Sequence, residues 1–309
     1  MTHRLTFTLT AITLLTVISA CGSNSHTPPA PTGKPTIIAV NYPLAWLCEQ
    51  LLSDAADAAT VSLPMPADGD PAFWEPSDAE LRLIQQADLV VRNGAGYATW
   101  LTGVNLARQR VLDAGASAAA HYFSRPESVA HQHGPEGEHS HGDLAFTTWF
   151  DQTILLAQLD AIASRLISLL PEREAQLRTR QAELGTTLST WFKDLERAFE
   201  PLRGEPILVS HPVYAYLARS AGFTTIDLHW EPGVMPDPAA WAAFDERRGD
   251  ADLMLWEGEP HPDAAAALQQ RGITWLVFDP CGNRPEDGDF MSVQRANLAA
   301  LQRTLTPGG

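Results

Sequence analysis

Four of the chain's ten histidines, His131, His133, His139 and His141, fall within eleven residues, with Glu136 and Glu138 among them. Imidazole nitrogen is a borderline donor that suits Zn, Cu, Ni and Fe, and carboxylate can complete such a site. A short His-rich tract is therefore a compositional mark of metal binding. Gly134, Pro135 and Gly137 break any helix here, so the tract reads as a loop whose side chains can converge. The alternative is a solvated polar loop that holds its histidines by chance.

A second set of chemically capable residues lies at the ends of short apolar runs. Ser210-His211-Pro212 follows Ile207–Ser210, and His229-Trp230-Glu231-Pro232 follows Thr225–Leu228. Glu257-Gly258-Glu259-Pro260-His261 follows Leu253–Trp256, and Asp279-Pro280-Cys281-Gly282 follows Thr274–Phe278. Open α/β sheets bind ligands beyond the carboxyl ends of their strands. Each residue taken singly is as well explained by a helix cap or a turn. Four strand ends that offer His, Glu or Asp, together with the His loop, point to one metal cleft.

The elements that must position these residues follow from periodicity. Residues 36–41, 61–64 and 87–92 read as strands, and Tyr42–Ser53 and Ser77–Gln86 as helices, the latter opened by Ser77-Asp78-Ala79-Glu80. From Thr148 the pattern turns helical. Ile154, Leu155, Leu159, Ile162, Leu166 and Leu170 share one face before Pro171, and Glu172–Glu200 is one long helix with Leu177, Leu184, Leu188, Trp191, Phe192, Leu195 and Phe199 on its apolar side. A second series of βα units follows, with helices over Tyr214–Ala221, Ala239–Arg248, Pro262–Arg271 and Ser292–Thr304. Strands that alternate with helices imply mainly parallel sheets. The expected fold is α/β: an N-terminal lobe over 36–170 that includes the loop 131–141, a rigid linking helix over 171–201, and a C-terminal lobe over 202–309, with the metal cleft between the lobes. Trp74, Trp149, Trp230 and Trp256 are expected to wall that cleft and pack the interface.

The N-terminus reads as an export signal, residues 1–20. Leu5–Ile18 is apolar or hydroxylic, has the length of a signal core, and is too short for a permanent span, which needs about 20 residues. It ends Ile18-Ser19-Ala20-Cys21, which resembles the lipobox of bacterial lipoproteins and makes Cys21 the expected acylated first residue. Residues 21–35, rich in Ser, Pro, Thr and Gly, then form a disordered tether. Removing 1–20 takes away only Arg4, which leaves 20 Lys and Arg against 37 Asp and Glu, a net charge of −17. Such a surface repels nucleic acid and anionic lipid and gathers cations. Cys48, in a helix, and Cys281, in a turn, are expected as two buried or unpaired thiols, although an export compartment permits a disulfide.

Asn41-Tyr42-Pro43-Leu44, Asp70-Pro71-Ala72-Phe73-Trp74-Glu75-Pro76-Ser77-Asp78, Ala87-Asp88-Leu89-Val90-Val91-Arg92-Asn93-Gly94, Ser210-His211-Pro212-Val213-Tyr214-Ala215-Tyr216, Leu255-Trp256-Glu257 and Asp279-Pro280 resemble segments of the zinc/manganese class of metal-binding solute-binding proteins of bacterial ABC importers. The resemblance covers nearly all of 36–309. It implies two lobes joined by a rigid helix with one divalent ion between them, and a His-rich loop is typical of the zinc members. The chain departs from the pattern where the family carries its first two His ligands: Ala72 and Thr147 stand there. Only His211 and Glu257 carry over, and two donors do not make a tetrahedral zinc site. The expected replacement is His139 and His141 folded onto His211 and Glu257, with Glu75, His131, His133, His229 and Glu259 in reserve.

The resulting expectation is a lipid-anchored, extracytoplasmic, monomeric protein that binds Zn²⁺ and passes it to an ABC permease. It is not expected to be an enzyme: His-Glu-x-x-His and Gly-x-Ser-x-Gly are absent from the sequence. The alternatives are a solute-binding protein for another transition metal or a metal chelate (Cu, Ni, Mn), or a periplasmic metal chaperone or buffer.

Overall fold

The computed structural model describes residues 33–66, 69–70, 72, 74–123, 131–132, 138–139 and 144–306. In the first half, the β-branched run Thr36–Ala39 forms β1. It stops where Asn41 turns to cap the next helix, α1 (Tyr42–Leu51), by accepting a hydrogen bond from the Leu44 amide. β2 (Thr60–Ser62) ends before Leu63-Pro64, where proline offers no amide to a ladder. α2 (Asp78–Gln86) opens with a capping box between Ser77 and Glu80, as the sequence pattern indicated. β3 (Leu89–Arg92) and β4 (Val111–Asp113) complete a parallel sheet of order β2-β1-β3-β4. The loop after β3 passes through Gly94 at φ +84°, a left-handed backbone that favours glycine, and a Cβ there would run into the Tyr122 hydroxyl.

β5 (His131–Gln132) and β6 (Glu138–His139) pair antiparallel, with the His131 backbone opposite that of His139. The His-rich tract thus contains a two-rung ladder where an irregular loop was expected. α3 (Gln152–Leu169) is capped by Asp151, which accepts from the Ile154 amide. The expected long helix is α4 (Glu174–Phe199), flanked by two 3₁₀ turns, Pro171–Arg173 before it and Glu200–Leu202 after it. Its expected apolar face is buried throughout. The second half runs β7 (Pro206–Val209), α5 (Ala215–Ala221), β8 (Thr224–Asp227), α6 (Pro238–Arg247), β9 (Leu253–Trp256), α7 (Pro262–Gln270), β10 (Thr274–Val277) and α8 (Phe290–Leu305). Its sheet is also parallel, in the order β10-β9-β7-β8. Among the described residues no single helix is long and apolar enough to cross a membrane.

One core runs through both halves. Trp191 packs on Phe150, Phe192 and Phe290, and Phe278 lies against Phe150, Phe199 and Tyr214. A second, smaller core forms in the C-terminal half, where Trp230, Phe244, Met254, Trp256 and Leu268 pack together. Of the four tryptophans assigned to the cleft, Trp149 packs between the halves, whereas Trp230 and Trp256 belong to this second core and Trp74 packs edge-on to Trp100. Polar contacts also tie the halves. The Tyr42 amide donates to Gly282 O (2.8 Å), Trp149 Nε1 to Pro280 O (2.8 Å), the Tyr216 hydroxyl to Ala145 O (3.1 Å), and Arg219 pairs with Asp151 (2.6 Å). Cys48 and Cys281 are free and buried, and burial pushes the Cys48 thiol up to about 12.

Candidate metal centre

The strand order β10-β9-β7-β8 brings four carboxyl ends side by side. His211 leaves β7 and enters the 3₁₀ turn Pro212–Tyr214 without a side-chain cap bond, so its ring is not consumed as a helix cap. His211 is 5% exposed, and its ring lies between two carboxylates: Nδ1 against Glu257 Oε1 from the end of β9, and Nε2 3.3 Å from Glu231 Oε1 from beyond β8. The His229 ring lies 6.4 Å from that of His211, centroid to centroid, on a backbone held at φ 57°. Among the described residues, the non-glycine positions at positive φ are Ala95, Ala98, His229 and Cys281, each in a loop just past the carboxyl end of β3, β8 or β10. Left-handed backbone costs non-glycine residues energy and tends to collect at functional sites.

The electrostatics follow from this arrangement. Burial alone would lower the basicity of His211. Hydrogen bonds to Glu231 and Glu257, together with their charges, outweigh it and hold the imidazole pKa at about 10. Asp279 is pushed up by burial; the Cys281 amide, which donates to it at 2.6 Å, opposes this, and the charge of Glu257 adds to it. Tyr214 is fully buried and neutral, raised by burial and by the nearby charges of Glu257 and Asp279, and donates to Phe278 O at 2.8 Å.

Two anionic groups around one imidazole form a cation trap that a proton fills. A metal ion can take the proton's place. Bonds of about 2.0–2.1 Å in a tetrahedral zinc site put neighbouring donors roughly 3.3 Å apart, which is the separation of His211 Nε2 from Glu231 Oε1. An imidazole binds one ion through one nitrogen, and the other nitrogen is commonly held by a carboxylate that fixes the ring. Glu257 and Glu231 lie on opposite ring nitrogens, so one of them can share an ion with His211 while the other orients the ring.

Sequence reasoning placed His211 and Glu257 together, and the structure brings them into contact. Glu231 lies in the quoted strand-end segment His229–Pro232 but is not among the expected ligands; the structure sets it against the other ring nitrogen. Glu75 and Glu259 are exposed. His261, beyond the same strand end as Glu257, caps α7 by accepting from the Asp263 amide at 3.2 Å. His131 and His139 are described as backbone alone, and His133, His141 and Cys21 lie outside the described residues. Ala72 is buried, its amide donating to Asp70 at 2.8 Å. Thr147, 3% exposed, gives its hydroxyl proton to Val213 O at 2.5 Å. Among the described residues no three His, Cys, Asp or Glu side chains converge as a ready metal cage, so His211 with one carboxylate supplies two donors.

The fold has counterparts among known proteins. The curated relatives include the zinc-binding protein AdcA of Streptococcus pyogenes serotype M3, 22% identical over 303 residues, which match 90% of this chain and 57% of AdcA. The chain thus spans little more than half the length of that relative. A putative metal-binding protein of Thermotoga maritima is 23% identical over 278 residues, matching 88% of this chain and 93% of its own length. Among solved structures, the Zn(II)-bound ZnuA-like domain of Streptococcus pneumoniae AdcA superimposes with a TM-score of 0.72 at 20% identity, covering 88% of this chain and 99% of the domain. The family model "ZnuA: Zinc-uptake complex component A periplasmic" matches residues 37–304, and the chain belongs to that family.

Proposed function

We propose that this protein captures Zn²⁺ outside the cytoplasm and delivers it to the permease of an ABC importer. The observation that carries the reading is His211, buried between Glu231 and Glu257 at the strand ends of a chain from the zinc-uptake family. The role is capture and transfer rather than catalysis. Metal analysis of protein purified without metal-affinity resin, followed by titration against a chelator of known strength, tests it. Stoichiometric, tight zinc is the expected result. A protein that takes up no transition metal contradicts it.

The site needs donors beyond His211 and one carboxylate. We assign them to His139 and His141, in place of Ala72 and Thr147. The double variant His139→Ala/His141→Ala should then abolish the tightest zinc site. If the tightest site survives and only the stoichiometry falls, the loop is a collector, and His229 with the neighbouring carboxylates completes the centre. A second reading, Mn²⁺ as cargo, draws on the donor chemistry: Glu231 and Glu257 flank a single imidazole, and oxygen-rich sets suit harder ions. Parallel titrations with Mn²⁺ and Zn²⁺ separate the two.

The remaining architecture is proposed on the same footing: signal 1–20, tether 21–35, lobes 36–170 and 202–309, and linker 171–201. Acylation of Cys21 would hold this monomer at the membrane. Replacing Cys21 with Ala should move the protein from the detergent phase to the aqueous phase, and unchanged partitioning would reject the anchor.

A further inference from the structure

Ser210 precedes His211, is 0% exposed, and is bonded to both neighbouring strands. Its amide donates to Leu255 O at 2.9 Å, and its carbonyl accepts from the Trp230 amide at 2.8 Å. Its side-chain oxygen accepts from the Glu257 amide at 3.1 Å. One residue therefore contacts all three segments that carry His211, Glu231 and Glu257. Two of these bonds are backbone bonds that any residue would make. The third requires a hydroxyl, and it falls just past the end of β9, where the ladder between β7 and β9 has already ended at Val209 and Leu255. Beyond that point the Glu257 backbone has no strand partner on this side, and the Ser210 side chain replaces one.

We infer that Ser210 is a positioning residue of the metal centre: its hydroxyl anchors the Glu257 backbone and so holds the Glu257 carboxylate against His211. The inference rests on the functional reading above. It holds whether Glu257 binds the ion or orients the ring, because both roles need the carboxylate at His211 Nδ1. Outer partners of this kind typically change metal affinity by about 10–100-fold when lost.

The test is zinc affinity, measured by chelator competition on the full mature protein, in a double-mutant cycle of Ser210→Ala and Glu257→Ala. Ser210→Ala alone should weaken zinc binding about tenfold. In the Glu257→Ala background it should have no further effect, because the group it positions is gone. Ser210→Cys keeps the volume but offers a weak acceptor, and should act in the same direction if the alanine variant folds poorly. As a control, Ser220→Ala removes a bond from Ser220 Oγ to Phe150 O (3.3 Å) and should leave affinity unchanged. Unaltered affinity in Ser210→Ala, or equal losses in both backgrounds, overturns the inference while leaving the functional reading in place. Failure of the unaltered protein to bind Zn²⁺ overturns both.

Discussion

Replacing His211 with Ala is expected to weaken zinc binding at least about tenfold, on the order of 1.4 kcal/mol. The ring contacts both carboxylates and is buried between them. The effect should carry a pH signature. The metal-free ring holds its proton up to a pKa of about 10, and a ligand must lose its proton to bind metal. Zinc binding at neutral pH should therefore expel a proton from His211, and affinity should climb by up to about tenfold per pH unit towards that value. His211→Ala should abolish that proton release. Stability without metal moves the other way. A folded-state pKa raised from 6.5 to about 10 stabilises the fold fully below 6.5, and that contribution is lost as pH rises towards 10. Thermal melts of metal-free protein across this range check the sign, and indicator titrations count the protons.

Trp149→Ala is expected to cost about 3–5 kcal/mol in folding stability, the range for large aromatic truncations in a core. Trp149 is 1% exposed and packs on Tyr97 and Phe150, and its indole donates across the halves to Pro280 O at 2.8 Å. The indole edge also lies against Gly282, whose carbonyl accepts from the Tyr42 amide. Losing the ring leaves a cavity and an unpaired carbonyl in the seam that holds Asp279-Pro280-Cys281-Gly282. Urea unfolding measures the loss, and a cost below about 1 kcal/mol would mean that the seam is not packed as described.

Much of the frame was legible because its signals are local. The capping box at Ser77 and Glu80 marks a helix start in any context, and the apolar face of α4 repeats at helical spacing over 26 residues. β4, Val111–Asp113, was not read from the sequence; its place is fixed by pairing with β3. The site divides in the same way. His211 and Glu257 could be nominated from strand ends. Glu231 could not be given its role, because nothing local says that β8 lies beside β7 or that the His211 ring turns Nε2 towards it. Ser210 was visible only as the residue before a histidine. Its role arises from a bond to Glu257, 47 positions away.

The most direct measurement is X-ray absorption at the zinc edge, or anomalous diffraction, on protein loaded with one equivalent of Zn²⁺. Zinc is expected bonded to a His211 ring nitrogen at about 2.0–2.1 Å and to an oxygen of Glu257 or Glu231 at about 2.0–2.2 Å. Zinc bound through the histidines of 131–141 alone, with His211 still paired to both carboxylates, would contradict it.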